Sequence, residues 1–414
     1  MNSRNNAQKP NTDQSVCDCR SGQKTVILAA NFTVKLGREF YLNGERMKSV
    51  AAIFEGIGQP LLIDEIEVDD PKDGEVMIKL DVTGLCHTEI WYMNGGDTIT
   101  RTPIVLGHEG CGIVYKVGAG VTSLKEGDRV VPLYIPQCGH CRECGHPETN
   151  LCSSLDDAYF GNSMNDGTSR FHYRGKDLHH FMLCSTFSQY TVCHEESVAK
   201  IREDAPPESA CLFGCAVTTG IGAALYNAKV RPGSSCAVFG VGPIGLNAIQ
   251  GCKLAGAGKI IAVDLNDARL EKARQFGATH LINPSRDGDS VAAVKDLTGG
   301  GADYCFEATG NTKVMQQALE AAIYGGGTCC LIGVAKTGET LDVTPRLLIA
   351  GRKLIGTAFG GCRGRSQLPG LIDRYMNGDF LVDELVTDII PIEKINDAFE
   401  QMHKDSGYRY VVKY

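Results

Sequence analysis

One stretch limits the fold more than any other. Ser235-Cys236-Ala237-Val238-Phe239 is a short apolar run that passes directly into Gly240-Val241-Gly242-Pro243-Ile244-Gly245, and a helix-compatible run follows to Leu254. A second apolar run, Lys259-Ile260-Ile261-Ala262-Val263, then ends in Asp264. A lone G-x-G-x-x-G is weak. Set between a strand and a helix, with an acidic residue about twenty positions on, it reads as a dinucleotide-binding turn. Gly240, Gly242 and Gly245 let the backbone approach a pyrophosphate at the helix N-terminus, where free N–H groups and the dipole favour an anion. Asp264 can accept hydrogen bonds from ribose hydroxyls and would repel a 2′-phosphate, so the expected cofactor is NAD rather than NADP.

The pattern continues downstream. Helices are predicted at 270–276 and 312–323, and strands at 279–283, 302–308, 328–334 and 353–358. Strands alternating with helices indicate a parallel, doubly wound sheet over residues 217–358. From Ser49 the style differs: short strand-like runs such as 76–82, 114–121 and 128–134 are separated by turns, which predicts a β-rich lobe. A chain of 414 residues is too long for one comfortable core, in keeping with two domains. Residues 1–47 are polar and without clear period, and read as a flexible extension; Cys17 and Cys19 within it have no partners nearby. The segment 156–190 reads as long and polar; its adjacent His179 and His180 point different ways and are not expected to bind metal together.

Composition narrows the function classes. At 43% hydrophobic, 22% charged and a net charge of -8, the chain looks like an ordinary globular protein without the basic surface nucleic acid needs. No apolar run approaches the ~20 residues of a membrane helix, and no secretory plan opens the chain. A soluble, cytoplasmic protein is expected. In that setting the 18 cysteines read as metal ligands and reduced thiols rather than disulfides.

Two groups of residues carry metal chemistry. Cys138, Cys141, Cys144 and Cys152 follow C-x2-C-x2-C-x7-C, enough thiolates to close a tetrahedral structural zinc site; a disulfide pair is the rival reading. Cys86, His108 and Cys215 supply two thiolates and an imidazole, the donors of a catalytic zinc whose fourth position stays open. Thr88 places a hydroxyl beside that position.

With their flanks, Gly84-Leu85-Cys86-His87-Thr88-Glu89, Gly107-His108-Glu109-Gly110 and Gly214-Cys215, these residues resemble the zinc-dependent alcohol dehydrogenases of the medium-chain dehydrogenase/reductase superfamily. The likeness runs from about Val50 to Tyr414 and is to the long-chain, typically dimeric branch. It implies a GroES-like catalytic domain, 48–216 joined by 359–414, beside the Rossmann domain. It also implies two zinc ions per chain, NAD, and reversible hydride transfer from a primary or secondary alcohol, with Thr88 relaying the proton. Glu109 is an optional further donor. Glu89 stands where the family has an aspartate that orients the histidine ligand. His87 and Arg409 occupy positions associated with the cofactor pyrophosphate, and Arg269 one near the adenosine. Trp91 replaces the histidine that ends the family's proton relay, so the relay is expected to end in solvent.

The wording from Val130 to Cys138 resembles the glutathione-dependent formaldehyde dehydrogenase branch, which makes an S-(hydroxymethyl)glutathione substrate the alternative. That branch anchors glutathione carboxylate with an arginine at the position of Asp156, and with a lysine in the area of Tyr324. Asp157 adds a second negative charge, leaving Arg142 or Arg170 as replacement anchors. An ordinary alcohol is therefore the favoured expectation. A non-catalytic zinc-binding interaction protein is disfavoured by the intact dinucleotide fingerprint and the acidic balance, and a zinc-free reductase by the Cys86, His108 and Cys215 set.

Overall fold

The computed structural model describes residues 46–97, 100–404 and 407–414. Most of the predicted extension, including Cys17 and Cys19, lies outside the described residues. Its last two residues belong to the folded part: Met47 opens the strand Met47–Phe54, and Arg46 Nε pairs with Asp69 at 2.7 Å.

The fingerprint builds the expected sheet. Six parallel strands run in the order His280–Ile282, Lys259–Val263, Ser235–Phe239, Tyr304–Glu307, Thr328–Leu331 and Lys353–Gly356. Chain order reverses between Ser235–Phe239 and Tyr304–Glu307, and a crevice at the carboxyl ends of the strands beside such a reversal is where ligands bind in open α/β sheets. The Pro243–Leu254 helix packs against Ala216–Gly222. Gly245 has no room for a side chain, since a Cβ would lie 1.8 Å from the Gly240 carbonyl oxygen. The helix Ser290–Thr298, not foreseen from sequence, buries Val291 and Val294 in the same half.

The β-rich part holds two sheets. One contains Glu75–Gly84 flanked by Glu109–Val117, Tyr190–His194 and the chain-terminal strand Arg409–Lys413. The tail therefore ends in the sheet that carries the first cysteine of the site. The other is a closed barrel of Met47–Phe54, Leu62–Val68, Phe171–Tyr173, Lys176–His180 and Ile104–Val105.

The polar reading of 156–190 needs correction. The segment forms the helix Asp156–Gly161 and two strands of the barrel, with Phe171, Leu178, Phe181 and Phe187 buried. Its polar residues are internal: Arg170 is buried and donates from Nε and Nη2 to Glu75 at 2.8 and 2.6 Å. A buried cation needs such pairing. His180 stacks on Phe171 and its Nε2 accepts the Arg170 backbone N–H at 3.0 Å. Burial pushes its pKa down to about 3, so the ring is neutral.

Candidate active site

Strand register assembles the first cluster. Gly84 pairs with Glu109, and Val411 pairs with Gly84, so the ends of three adjacent strands deliver Cys86, His108 and Arg409 to one place. Leu85 N–H donates to the Tyr410 carbonyl at 2.9 Å and locks that arrangement. Cys215 arrives from the turn Cys211–Gly214, just before the helix Ala216–Gly222. Donor atoms of Cys86, His108, Glu109 and Cys215 all lie within 4.8 Å of one another, and all four residues are buried.

The donor chemistry fits zinc. Glu89 Oε1 lies 2.5 Å from His108 Nδ1, which fixes the ring and leaves Nε2, buried and without a hydrogen-bond partner, for a metal. The other Glu89 oxygen accepts the Cys86 backbone N–H at 3.1 Å, so one carboxylate ties the start of the helix His87–Met93 to the histidine. A hydrogen bond from the Cys215 thiol and the nearby Arg409 cation hold the Cys86 thiol well below its ordinary pKa, while that same hydrogen bond and burial raise the pKa of Cys215. A lowered pKa favours the thiolate, the metal-binding form.

Arg409, expected at a pyrophosphate, turns inward here. Its Nη2 lies 3.3 Å from Glu109 Oε1 and 3.5 Å from Cys86 Sγ. Its Nε is 3.3 Å from Glu109 Oε2, close enough for charge pairing but not aligned as a hydrogen bond. Burial pushes the Glu109 carboxyl up to about 7 against the pull of Arg409.

The second cluster is the loop of four cysteines. Cys138 and Cys144 Sγ are 3.9 Å apart, and Cys141 and Cys152 Sγ 3.7 Å. Thiolates around one tetrahedral zinc, with Zn–S near ~2.3 Å, would sit roughly 3.8 Å apart. Backbone N–H groups of Cys141 and Cys144 point at the sulfurs of Cys138 and Cys141, at 3.2 and 3.3 Å. All 16 cysteines among the described residues are free thiols, which removes the disulfide alternative for this loop.

One cleft of about 670 Å³ connects the first cluster to the dinucleotide turn. Cys86, Thr88, His108, Cys215 and Arg409 line one part of it, and Gly240, Gly242, Asp264 and Arg269 another, and His87 also belongs to the lining. Thr88 Oγ1 is 3.4 Å from Cys86 Sγ. Gly245 does not line the cleft; its role is the tight turn. Asp264 accepts the backbone N–H groups of Val241 at 2.8 Å and Asn266 at 2.9 Å, which orients its carboxylate at the cleft.

Sequence reasoning missed most of the cleft's aromatic wall. Tyr92, Tyr159 and Met182 join Trp91 and Tyr134 there. Tyr159 sits on the helix misread as polar. Arg269 and Arg409 are the only Lys or Arg residues lining the cleft among the described residues, and both belong to the parts already named. Among the described residues, no Lys or Arg lines the side pocket formed by Tyr92, Asp97, Thr100, Tyr159, Phe160, Asn162, Phe181 and Met182. Arg170, paired with Glu75, is not available as an anion anchor.

Comparison with known proteins agrees with this geometry. Residues 72–203 match the alcohol dehydrogenase GroES-like domain, and 243–377 the zinc-binding dehydrogenase family. The chain is 48% identical over 369 residues to an S-(hydroxymethyl)glutathione dehydrogenase of Synechocystis, covering 89% of this chain and 100% of that one. It is 48% identical over 374 residues to an alcohol dehydrogenase class-3 of Cereibacter sphaeroides, covering 88% and 100%. Among solved structures, an alcohol dehydrogenase zinc-binding domain protein from Burkholderia ambifaria is similar at 34% identity and a TM-score of 0.84, covering 89% and 99%. Benzyl alcohol dehydrogenase from Acinetobacter calcoaceticus follows at 32% and 0.82, with the same coverage.

Proposed function

Because this chain belongs to the zinc-dependent alcohol dehydrogenases of the medium-chain dehydrogenase/reductase superfamily, we propose that it oxidises neutral primary or secondary alcohols with NAD. The supporting observation is the single cleft in which the Cys86, His108 and Cys215 donors face the Gly240–Asp264 turn.

The roles follow from chemistry. Cys86, His108 and Cys215 would hold a zinc ion, Glu89 orients His108, and Cys138, Cys141, Cys144 and Cys152 would hold a second one that closes their loop. When bound, the first zinc would supply a Lewis acid for the alcohol oxygen, and a nicotinamide would supply the hydride acceptor. Thr88 takes the hydroxyl proton and passes it outward; Trp91, an indole that only donates, cannot carry it further. Asp264 accepts from the adenosine ribose hydroxyls and repels a 2′-phosphate, and Arg269 lies beside the same part of the cofactor. The aromatic wall of Trp91, Tyr92, Tyr134 and Tyr159 binds the substrate's apolar part and excludes water.

A glutathione adduct is the second reading, favoured by the names of the 48% identical relatives. Against it stand Asp156, of the wrong charge for the anchor the resemblance implies, and the lack, among the described residues, of any Lys or Arg at the metal end of the cleft other than Arg409, which is already paired with Glu109. Tyr324, in the area of the other anchor, is 73% exposed and is not a basic residue. Comparing NAD-dependent rates on primary alcohols of rising chain length with rates on S-(hydroxymethyl)glutathione tests the choice.

We also propose a homodimer. The strand Lys353–Gly356 is an open edge of the parallel sheet, and Ile349 nearby is 85% exposed, a combination that invites pairing with a second copy.

A further inference from the structure

The loop of four cysteines reaches the turn at the catalytic cleft wall through the Asn150 side chain, with a second link just past the turn, where Arg363 Nη2 donates to the His146 carbonyl at 2.5 Å. Asn150, just before Cys152, donates both Nδ2 hydrogens: one to the Ala358 carbonyl at 3.0 Å, one to the Cys362 carbonyl at 3.1 Å. The two acceptors bracket the turn Phe359–Gly361, whose residues all have positive φ: 53° at Phe359, 66° at Gly360 and 70° at Gly361. For Phe359, a residue with a Cβ, that conformation is strained and persists only where the surroundings enforce it. On the opposite side the turn presses on the helix that follows Cys215. A Cβ at Gly360 would lie 2.6 Å from the carbonyl oxygens of both Thr218 and Thr219.

Thr357, Ala358 and Phe359 line the cleft. Phe359 meets the edge of Tyr134 at 5.1 Å between centroids, and Tyr134 in turn meets His108 at 5.8 Å. Thr357 follows the strand Lys353–Gly356, separated in the sheet by three strands from the one that ends at Asp264. Four strand spacings make roughly 19 Å, so the turn faces the end of a bound dinucleotide remote from its adenosine. We propose that Asn150 is a positioning residue: by clamping both ends of the Phe359 turn, it holds the wall against which the reactive end of the cofactor rests. The inference rests on the dinucleotide reading of the cleft.

The test is a split in affinity. NADH and AMP binding are measured for the wild type, for Asn150→Ala, and for Asn150→Asp, which keeps size but has no N–H to donate. Wild-type NADH affinity itself tests the underlying reading. In both variants the dissociation constant for NADH is expected to rise by about fivefold or more, the effect of losing a hydrogen bond or two, with a matching fall in kcat. AMP affinity stays unchanged because Asp264 and Arg269 are remote from the turn. Asn150→Gln, which retains the amide, should recover part of the loss. Variants that bind NADH as tightly as wild type, or lose NADH and AMP affinity in equal proportion, overturn the proposal. Should the alanine variant fail to fold, the near-isosteric aspartate gives the same reading.

Discussion

Glu89 Oε1 and His108 Nδ1 lie 2.5 Å apart with both side chains fully buried. The longer carboxylate reaches the histidine and, through its other oxygen, the Cys86 N–H. The exchange of aspartate for glutamate suggested by the family pattern therefore keeps the orienting contact.

That contact predicts a metal phenotype. In Glu89→Gln the amide can still touch His108 but no longer supplies a charge to it. Zinc affinity at the Cys86, His108 and Cys215 site should fall by about 10- to 100-fold, the usual cost of losing such a partner. Chelator competition monitored by metal analysis reads this directly. Unaltered zinc retention would show that Glu89 serves the helix start alone.

The two clusters should fail differently. Cys141→Ser removes a ligand from a loop whose folding depends on its metal, and should lower thermal stability or cause aggregation. Cys215→Ser should leave the melting temperature close to wild type while turnover falls at least about a hundredfold. A Cys141→Ser protein as stable as wild type contradicts the structural assignment.

Asp264 sets cofactor choice. With its carboxylate held by Val241 and Asn266 N–H groups, it meets a 2′-phosphate as a fixed like charge. NAD should be preferred over NADP by at least about tenfold in kcat/KM, equivalent to ~1.4 kcal/mol. Asp264→Asn should narrow the ratio, and equal use of both cofactors by the wild type would refute the assignment.

Acid stability offers a test of the barrel. His180 has its pKa pushed down to about 3 from 6.5, so between those values the unfolded chain binds a proton that the folded one refuses. Its contribution is present above pH 6.5 and is lost as pH falls toward 3, at up to about 1.4 kcal/mol per pH unit. His180→Gln can still accept the Arg170 N–H without titrating. Its urea midpoint should fall less steeply with acid than that of wild type; identical slopes would mean His180 is charged in the fold.

Asp156 addresses the substrate. Asp156→Arg should raise activity toward S-(hydroxymethyl)glutathione and leave medium-chain alcohols within about twofold, since the new cation meets a carboxylate only in the adduct. A variant with no gain on the adduct would show that Asp156 does not face the substrate.

Much of this was legible in the chain. The 235–264 stretch and the strands after it announce their sheet because fully buried parallel strands are apolar throughout and their turns need glycine. Both clusters were legible because thiolates and imidazoles at ligand spacings have few other uses. The segment 156–190 was not: it read as long and polar, and only tertiary partners, such as Glu75 for Arg170, make its polar residues interior. The cleft wall was hidden too. Tyr159 and Met182 reach it through the fold of that segment, and Asn150 meets Ala358 and Cys362 across more than two hundred residues of chain.

Steady-state NADH formation by the zinc-loaded wild type decides whether the enzyme oxidises neutral alcohols with NAD. A higher kcat/KM is expected on a primary alcohol of medium chain length or with an aromatic group than on S-(hydroxymethyl)glutathione. A wild-type enzyme faster on the glutathione adduct than on any simple alcohol would contradict it.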